Sequence, residues 1–103
     1  MAINKEYSID RKICNVTFTL PDYFEESFEN ASLVGDFNNW DAVANPLEKN
    51  EKTNLYSVVL ELEGGKEYRF RYVVDGKTWL NDSEADRFEP TPFSDSENCI
   101  LIL

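Results

Sequence analysis

The residues best suited to chemistry in this chain are two tryptophans and an arginine, each set among short polar side chains. Trp40 closes the segment Val34-Gly35-Asp36-Phe37-Asn38-Asn39-Trp40-Asp41. Gly35 permits a sharp exit from a preceding strand, and Asp36, Asn38 and Asn39 are able to form side-chain-to-backbone turns. Trp79 follows Asp75-Gly76 and is flanked by Lys77, Thr78, Asn81 and Asp82. Arg69 and Arg71 alternate with Tyr68, Phe70 and Tyr72, so they take the opposite, solvent face of the same strand. A pyranose ring offers an apolar CH face that stacks on an indole, while its hydroxyls need amide, carboxylate or guanidinium partners. Trp40, Arg71, Trp79, Asn38 and Lys77 therefore make a candidate sugar-binding set. The competing reading is that both tryptophans are core residues, because large aromatics are mostly buried.

Composition removes several other chemistries. The chain has no histidine, which excludes Ser-His-Asp and Cys-His catalysis and any His-containing zinc site. Cys14 and Cys99 are too few for a four-thiolate zinc site and form no C-x-x-C motif. They read as buried free thiols, with a disulfide open to them only if their strands are neighbours. Asp82, Glu84 and Asp86 alternate in the manner of a calcium loop, but the central Gly and distant Glu of an EF-hand are missing. A solvated acidic turn is the expectation there. A glycosidase needs two carboxylates about 5–10 Å apart, and among 20 acidic residues such a pair arises by chance. No catalytic residue, metal or cofactor is assigned. With 10 Lys and Arg against 20 Asp and Glu, the net charge of −10 argues against nucleic acid or an anionic membrane as partner. No run approaches the ~20 apolar residues of a membrane span, and the first residues lack a secretory apolar segment. The expected location is cytoplasmic.

Strands must position these side chains. Cys14, Val16, Phe18 and Leu20 share one face of a strand over 12–20, as do Tyr56, Val58, Leu60 and Leu62 over 56–62. Tyr68, Phe70, Tyr72 and Val74 repeat the pattern, and 31–34, 77–80 and 98–103 read as shorter strands. Glu63-Gly64-Gly65-Lys66 predicts one tight hairpin and Asp75-Gly76 a second. The segment 23–30 fits either a turn of helix or an exposed loop. Many short antiparallel strands in 103 residues, 42% of them hydrophobic, predict an all-β, immunoglobulin-like sandwich. Residues 1–103 are expected to form a single domain, with 1–11 prone to fray.

Leu33-Val-Gly-Asp-Phe-Asn-Asn-Trp-Asp, Asn45-Pro-Leu, Tyr68-Arg-Phe-Arg-Tyr-Val-Val-Asp-Gly, Trp79-Leu-Asn-Asp and Ala85-Asp86, in that order, resemble family 48 carbohydrate-binding modules. The same fold occurs at the N-terminus of isoamylases and in the glycogen-binding domain of the AMP-activated protein kinase β subunit. The resemblance covers about residues 16–103. It implies a non-catalytic, early-set sandwich that binds α-1,4-linked glucans such as glycogen, starch and malto-oligosaccharides. It also implies that Trp40 and Trp79 stack on glucose, with one extra residue in the turn before Trp79, and that Arg71 replaces a lysine that contacts sugar hydroxyls. Near the C-terminus it places Phe93, Asp95 and Glu97 around the ligand, where the family carries Leu, Thr and Asn. Asp95 and Glu97 thus bring charge where neutral groups are usual. The rival reading is a protein-interaction or regulatory module acting with a glycoside hydrolase or transferase in trans. Convergence of Trp40, Arg71 and Trp79 on one open face favours the sugar.

Overall fold

An alternating strand is satisfied when one of its faces is buried against a second layer. In the computed structural model, which describes residues 3–20, 28–91 and 96–103, nine strands form two antiparallel sheets. The first sheet orders β1 (Ile3–Tyr7), β2 (Ile13–Thr19), β5 (Tyr56–Glu63) and β4 (Glu48–Lys49) as β1-β2-β5-β4. The second orders β3 (Ala31–Gly35), β6 (Glu67–Val74), β9 (Glu97–Ile102) and β8 (Arg87–Pro90) as β3-β6-β9-β8. The short β7 (Thr78–Leu80) also pairs with β6. Val16 and Phe18 of β2 meet Phe70 and Tyr72 of β6 in the shared core, with the Phe18 and Phe70 ring centroids 5.2 Å apart. The arrangement is an immunoglobulin-like β-sandwich, as the period-two pattern predicts. No helix among the described residues is long and apolar enough to cross a membrane.

β6 organises the second sheet. β3 runs along one of its edges, from Phe70 to Val74. The other edge is divided: β9 pairs with Glu67–Phe70 and β7 with Tyr72–Val74. Arg71 sits at the change of partner. Asp75 and Gly76 both take left-handed backbone (φ 52° and 69°), and Val74 pairs with Thr78, so the expected hairpin forms with a three-residue loop.

The Gly64-Gly65 turn corrects the sequence reading. It closes no hairpin, because β5 and β6 belong to different sheets, and the turn carries the chain across the sandwich. The Gly64 amide donates to the Lys12 carbonyl (2.8 Å) and that of Gly65 to the Leu103 carbonyl (2.9 Å), so the turn rests on two neighbouring segments. A Cβ on Gly64 would lie 2.3 Å from the Arg11 carbonyl oxygen. Glycine is thus required by close backbone approach.

Ile3–Tyr7, within the stretch expected to fray, forms an edge strand paired to β2. Lys5 reaches from it to the Asp86 carboxylate (2.8 Å) and the Ile102 carbonyl (3.0 Å), while Asp86 also accepts from the Ile102 amide (2.7 Å). An inward charge of this kind ties the sandwich edge shut and discourages pairing with a foreign strand. Cys14 and Cys99 are buried free thiols on β2 and β9, which are not paired neighbours. Burial pushes the Cys99 thiol up to about 11. Of the 23–30 segment, residues 23–27 lie outside the described residues.

Candidate functional site

The outer face of the second sheet carries an apolar floor. Val34, Val73 and Ile100 are buried, yet none belongs to the core between the sheets. In register, Val34 lies opposite Arg71, Val73 opposite Trp79, and Ile100 opposite both Arg69 and Arg87. Arginine stems and an indole can cover aliphatic side chains while their polar ends stay wet. Arg71 holds its guanidinium 5.4 Å from the Trp79 ring centroid, and Trp79 remains 45% exposed. The Arg71 Nε donates to Asn81 Oδ1 (3.0 Å), and Asn81 Nδ2 donates to the Glu97 carbonyl (3.0 Å). Asn81 thereby spans the gap between β7 and β9 where β6 changes partner. The remaining Arg71 N–H groups meet no acceptor among the described residues.

Trp40 stands at the end of a tight loop. After β3, Asp36–Asn38 form a short 3-10 turn, and Asn39 and Trp40 both adopt left-handed backbone (φ 55° and 58°). That conformation is uncommon for a bulky residue and costs roughly 1–2 kcal/mol. The loop compensates with bonds: the Trp40 amide donates to the Gly35 carbonyl (3.0 Å), and Asn38 Oδ1 accepts from the Gly35 amide (3.1 Å). Asn38 Nδ2 donates both to the Leu33 carbonyl (2.9 Å) and to Asn45 Oδ1 (2.8 Å). The indole Nε1 donates to Asp36 Oδ1 (3.3 Å), and Asp36 Oδ2 accepts from the Arg69 amide on β6 (2.9 Å). Trp40 is accordingly half-buried and tied to the strand that carries Arg71.

The remaining sequence candidates fall in different places. Lys77 lies at the hairpin tip and lines a separate hollow of about 540 Å3 with Phe28, Glu29, Asn30 and Asp75. Glu97 contributes its carbonyl to Asn81, but by strand alternation its side chain shares the Cys99 face, whereas Asn98 takes the Arg69 face. Phe93 and Asp95 lie outside the described residues. The three alternating carboxylates do not converge: Asp82 is buried against the Tyr72 hydroxyl (2.9 Å), and Asp86 is engaged by Lys5. Burial holds the Asp82 carboxyl above its ordinary range, against lowering bonds from the Glu84 amide and Tyr72. Asp36 and Asn81 lie outside the candidate set that residue type and spacing define. Their only signal was an acceptor two residues after a tryptophan and another four before one.

The family model for carbohydrate-binding module 48 (isoamylase N-terminal domain) matches residues 14–90. The chain belongs to this family. Carbohydrate-binding module 48 is a family of non-catalytic binding modules, so a sugar is the ligand class its members imply. Among curated proteins, none matches the chain. The span matched to carbohydrate-binding module 48 runs from β2 to the end of β8 and includes Trp40, Arg71, Trp79, Asp36 and Asn81. It stops before Phe93, Asp95 and Glu97.

Proposed function

We propose that the outer face of the second sheet binds α-1,4-linked glucans, such as glycogen, starch and malto-oligosaccharides, and performs no reaction on them. The observation that carries this reading is the pairing of a half-exposed Trp79 with the Arg71 guanidinium over an apolar floor. An indole supplies the stacking surface for a pyranose, and the N–H groups of Arg71 that meet no acceptor among the described residues supply donors for its hydroxyls. Trp40 forms the second platform, while Asn38 serves the loop, since both of its N–H donors are engaged there. Residues 1–103 act as one binding unit. Two unpaired buried thiols suit a reducing compartment, which supports a cytoplasmic location. A glucan-active hydrolase or transferase in trans is the partner that such a unit would serve.

The test is a titration of the 15N-labelled protein with maltoheptaose, with cellohexaose as the β-linked control. The indole N–H signals of Trp40 and Trp79 should shift with the α-linked sugar alone, and no reducing sugar should be released. Unmoved indole signals at millimolar maltoheptaose would overturn the reading. The module would then be one that recognises protein.

A further inference from the structure

The Trp40 platform and the central strand of its sheet share a single carboxylate. Asp36 Oδ1 accepts from the indole Nε1 of Trp40 (3.3 Å), and Asp36 Oδ2 accepts from the backbone amide of Arg69 (2.9 Å). The Arg69 guanidinium stands 3.7 Å from the same Oδ2 and is held from its other side by Glu89 of β8. Asp36 thus holds the ring, Arg69 of β6 holds Asp36, and Glu89 of β8 holds Arg69. Trp40 needs such support, because its left-handed backbone is disfavoured and its side chain extends from a loop rather than a strand.

We propose that Asp36 is a positioning residue that clips the Trp40 indole to β6 and so sets the affinity of the sugar-binding face. A ring already held in place loses little freedom when a sugar stacks on it, whereas a loose ring must be ordered by the ligand. Asp36 itself touches no sugar. The statement about affinity rests on the proposed sugar reading; the statement about the ring does not.

The two parts are tested separately. In a Trp79→Phe background, Trp40 is the only tryptophan, so time-resolved fluorescence anisotropy reports its local motion without any ligand. Asp36→Ala should enlarge the fast component of the decay. Asp36→Asn, with one acceptor oxygen in place of two, should fall between Asp36→Ala and the parent. In the chain with both tryptophans, Asp36→Ala should weaken maltoheptaose binding about threefold to tenfold, the range for one lost hydrogen bond. In a Trp40→Phe background, which has no indole N–H to clip, the same change should cost little further. Parent-like anisotropy in Asp36→Ala overturns the clip, and so does an equal affinity loss in both backgrounds. If Asp36→Ala does not fold, Asp36→Asn decides, and parent-like behaviour in both measurements overturns the proposal. If the parent binds no maltoheptaose, the sugar reading fails and anisotropy alone judges the clip.

Discussion

Arg71 lies on the outer face of β6, opposite Val34, with its Nε committed to Asn81 and its guanidinium beside the Trp79 ring. Its removal should therefore affect ligand more than fold. Arg71→Ala is expected to cost about 1–2 kcal/mol of maltoheptaose binding with little loss of stability. Trp40→Ala should cost about 1–3 kcal/mol, the range for an aromatic platform, and calorimetry on folded variants checks both. Asp82 behaves differently because it is buried. Burial raises its carboxyl above the ordinary 3.8, so the folded protein holds this proton more tightly than the unfolded chain. Its contribution to stability is complete below 3.8 and is lost as pH rises through the higher folded value. Asp82→Asn cannot titrate. As pH rises above 3.8, the wild type should therefore lose urea stability relative to Asp82→Asn. The exposed Glu63 and Glu89 are held low by Lys66 and Arg69 and act in the opposite direction, but they are common to both proteins and cancel in the comparison. A difference that does not change with pH would exclude Asp82 as its source.

At the level of elements, two glycine turns with similar local sequence have different duties. Asp75-Gly76 joins strands that pair with each other, and a Cβ on Gly76 would meet nothing within 4 Å. Gly76→Ala should cost about 1 kcal/mol, from left-handed backbone alone. Gly64 lies in the turn between sheets, where a Cβ would strike the Arg11 carbonyl, a backbone atom that cannot swing aside. Gly64→Ala should cost more than about 2 kcal/mol. Urea unfolding of the two variants gives the order, and an equal cost would mean that the Arg11 approach is not a constraint. The sequence revealed a turn in both cases. It did not reveal which strands pair across it, because the local need for tight backbone is the same in a hairpin and in an arch.

The molecule as a whole carries a net charge of −10, and like charges repel more when the chain is compact. Raising ionic strength shortens the screening length from about 30 Å at 0.01 M to about 8 Å at 0.15 M. Thermal stability should rise over that range. Affinity for an uncharged malto-oligosaccharide should not change, since a neutral ligand releases no ions when it binds. Calorimetry at both salt concentrations checks the pair of outcomes, and a malto-oligosaccharide affinity that changes steeply with salt would overturn the second.

The sequence by itself determined which face of each strong strand is buried, because side chains alternate with a period of two whatever the strand pairs with. That rule placed Arg69 and Arg71 opposite Phe70 and Tyr72, and the Asp75-Gly76 turn placed Trp79 beside them. The absence of histidine likewise excluded the catalytic arrangements that require one. Long-range contacts decided the rest. Strand pairing depends on which distant edges meet when both sheets bury their apolar faces, so the Lys5 clasp, the charged β8 and the assignment of β5 and β6 to different sheets had no local signature. The same holds at the candidate site. Asn38 has the composition of a ligand-binding amide, but its donors are taken by Leu33 and Asn45 once the loop closes. Asp36 looks like one more turn residue until folding brings the Arg69 amide against one of its oxygens and the Trp40 indole against the other.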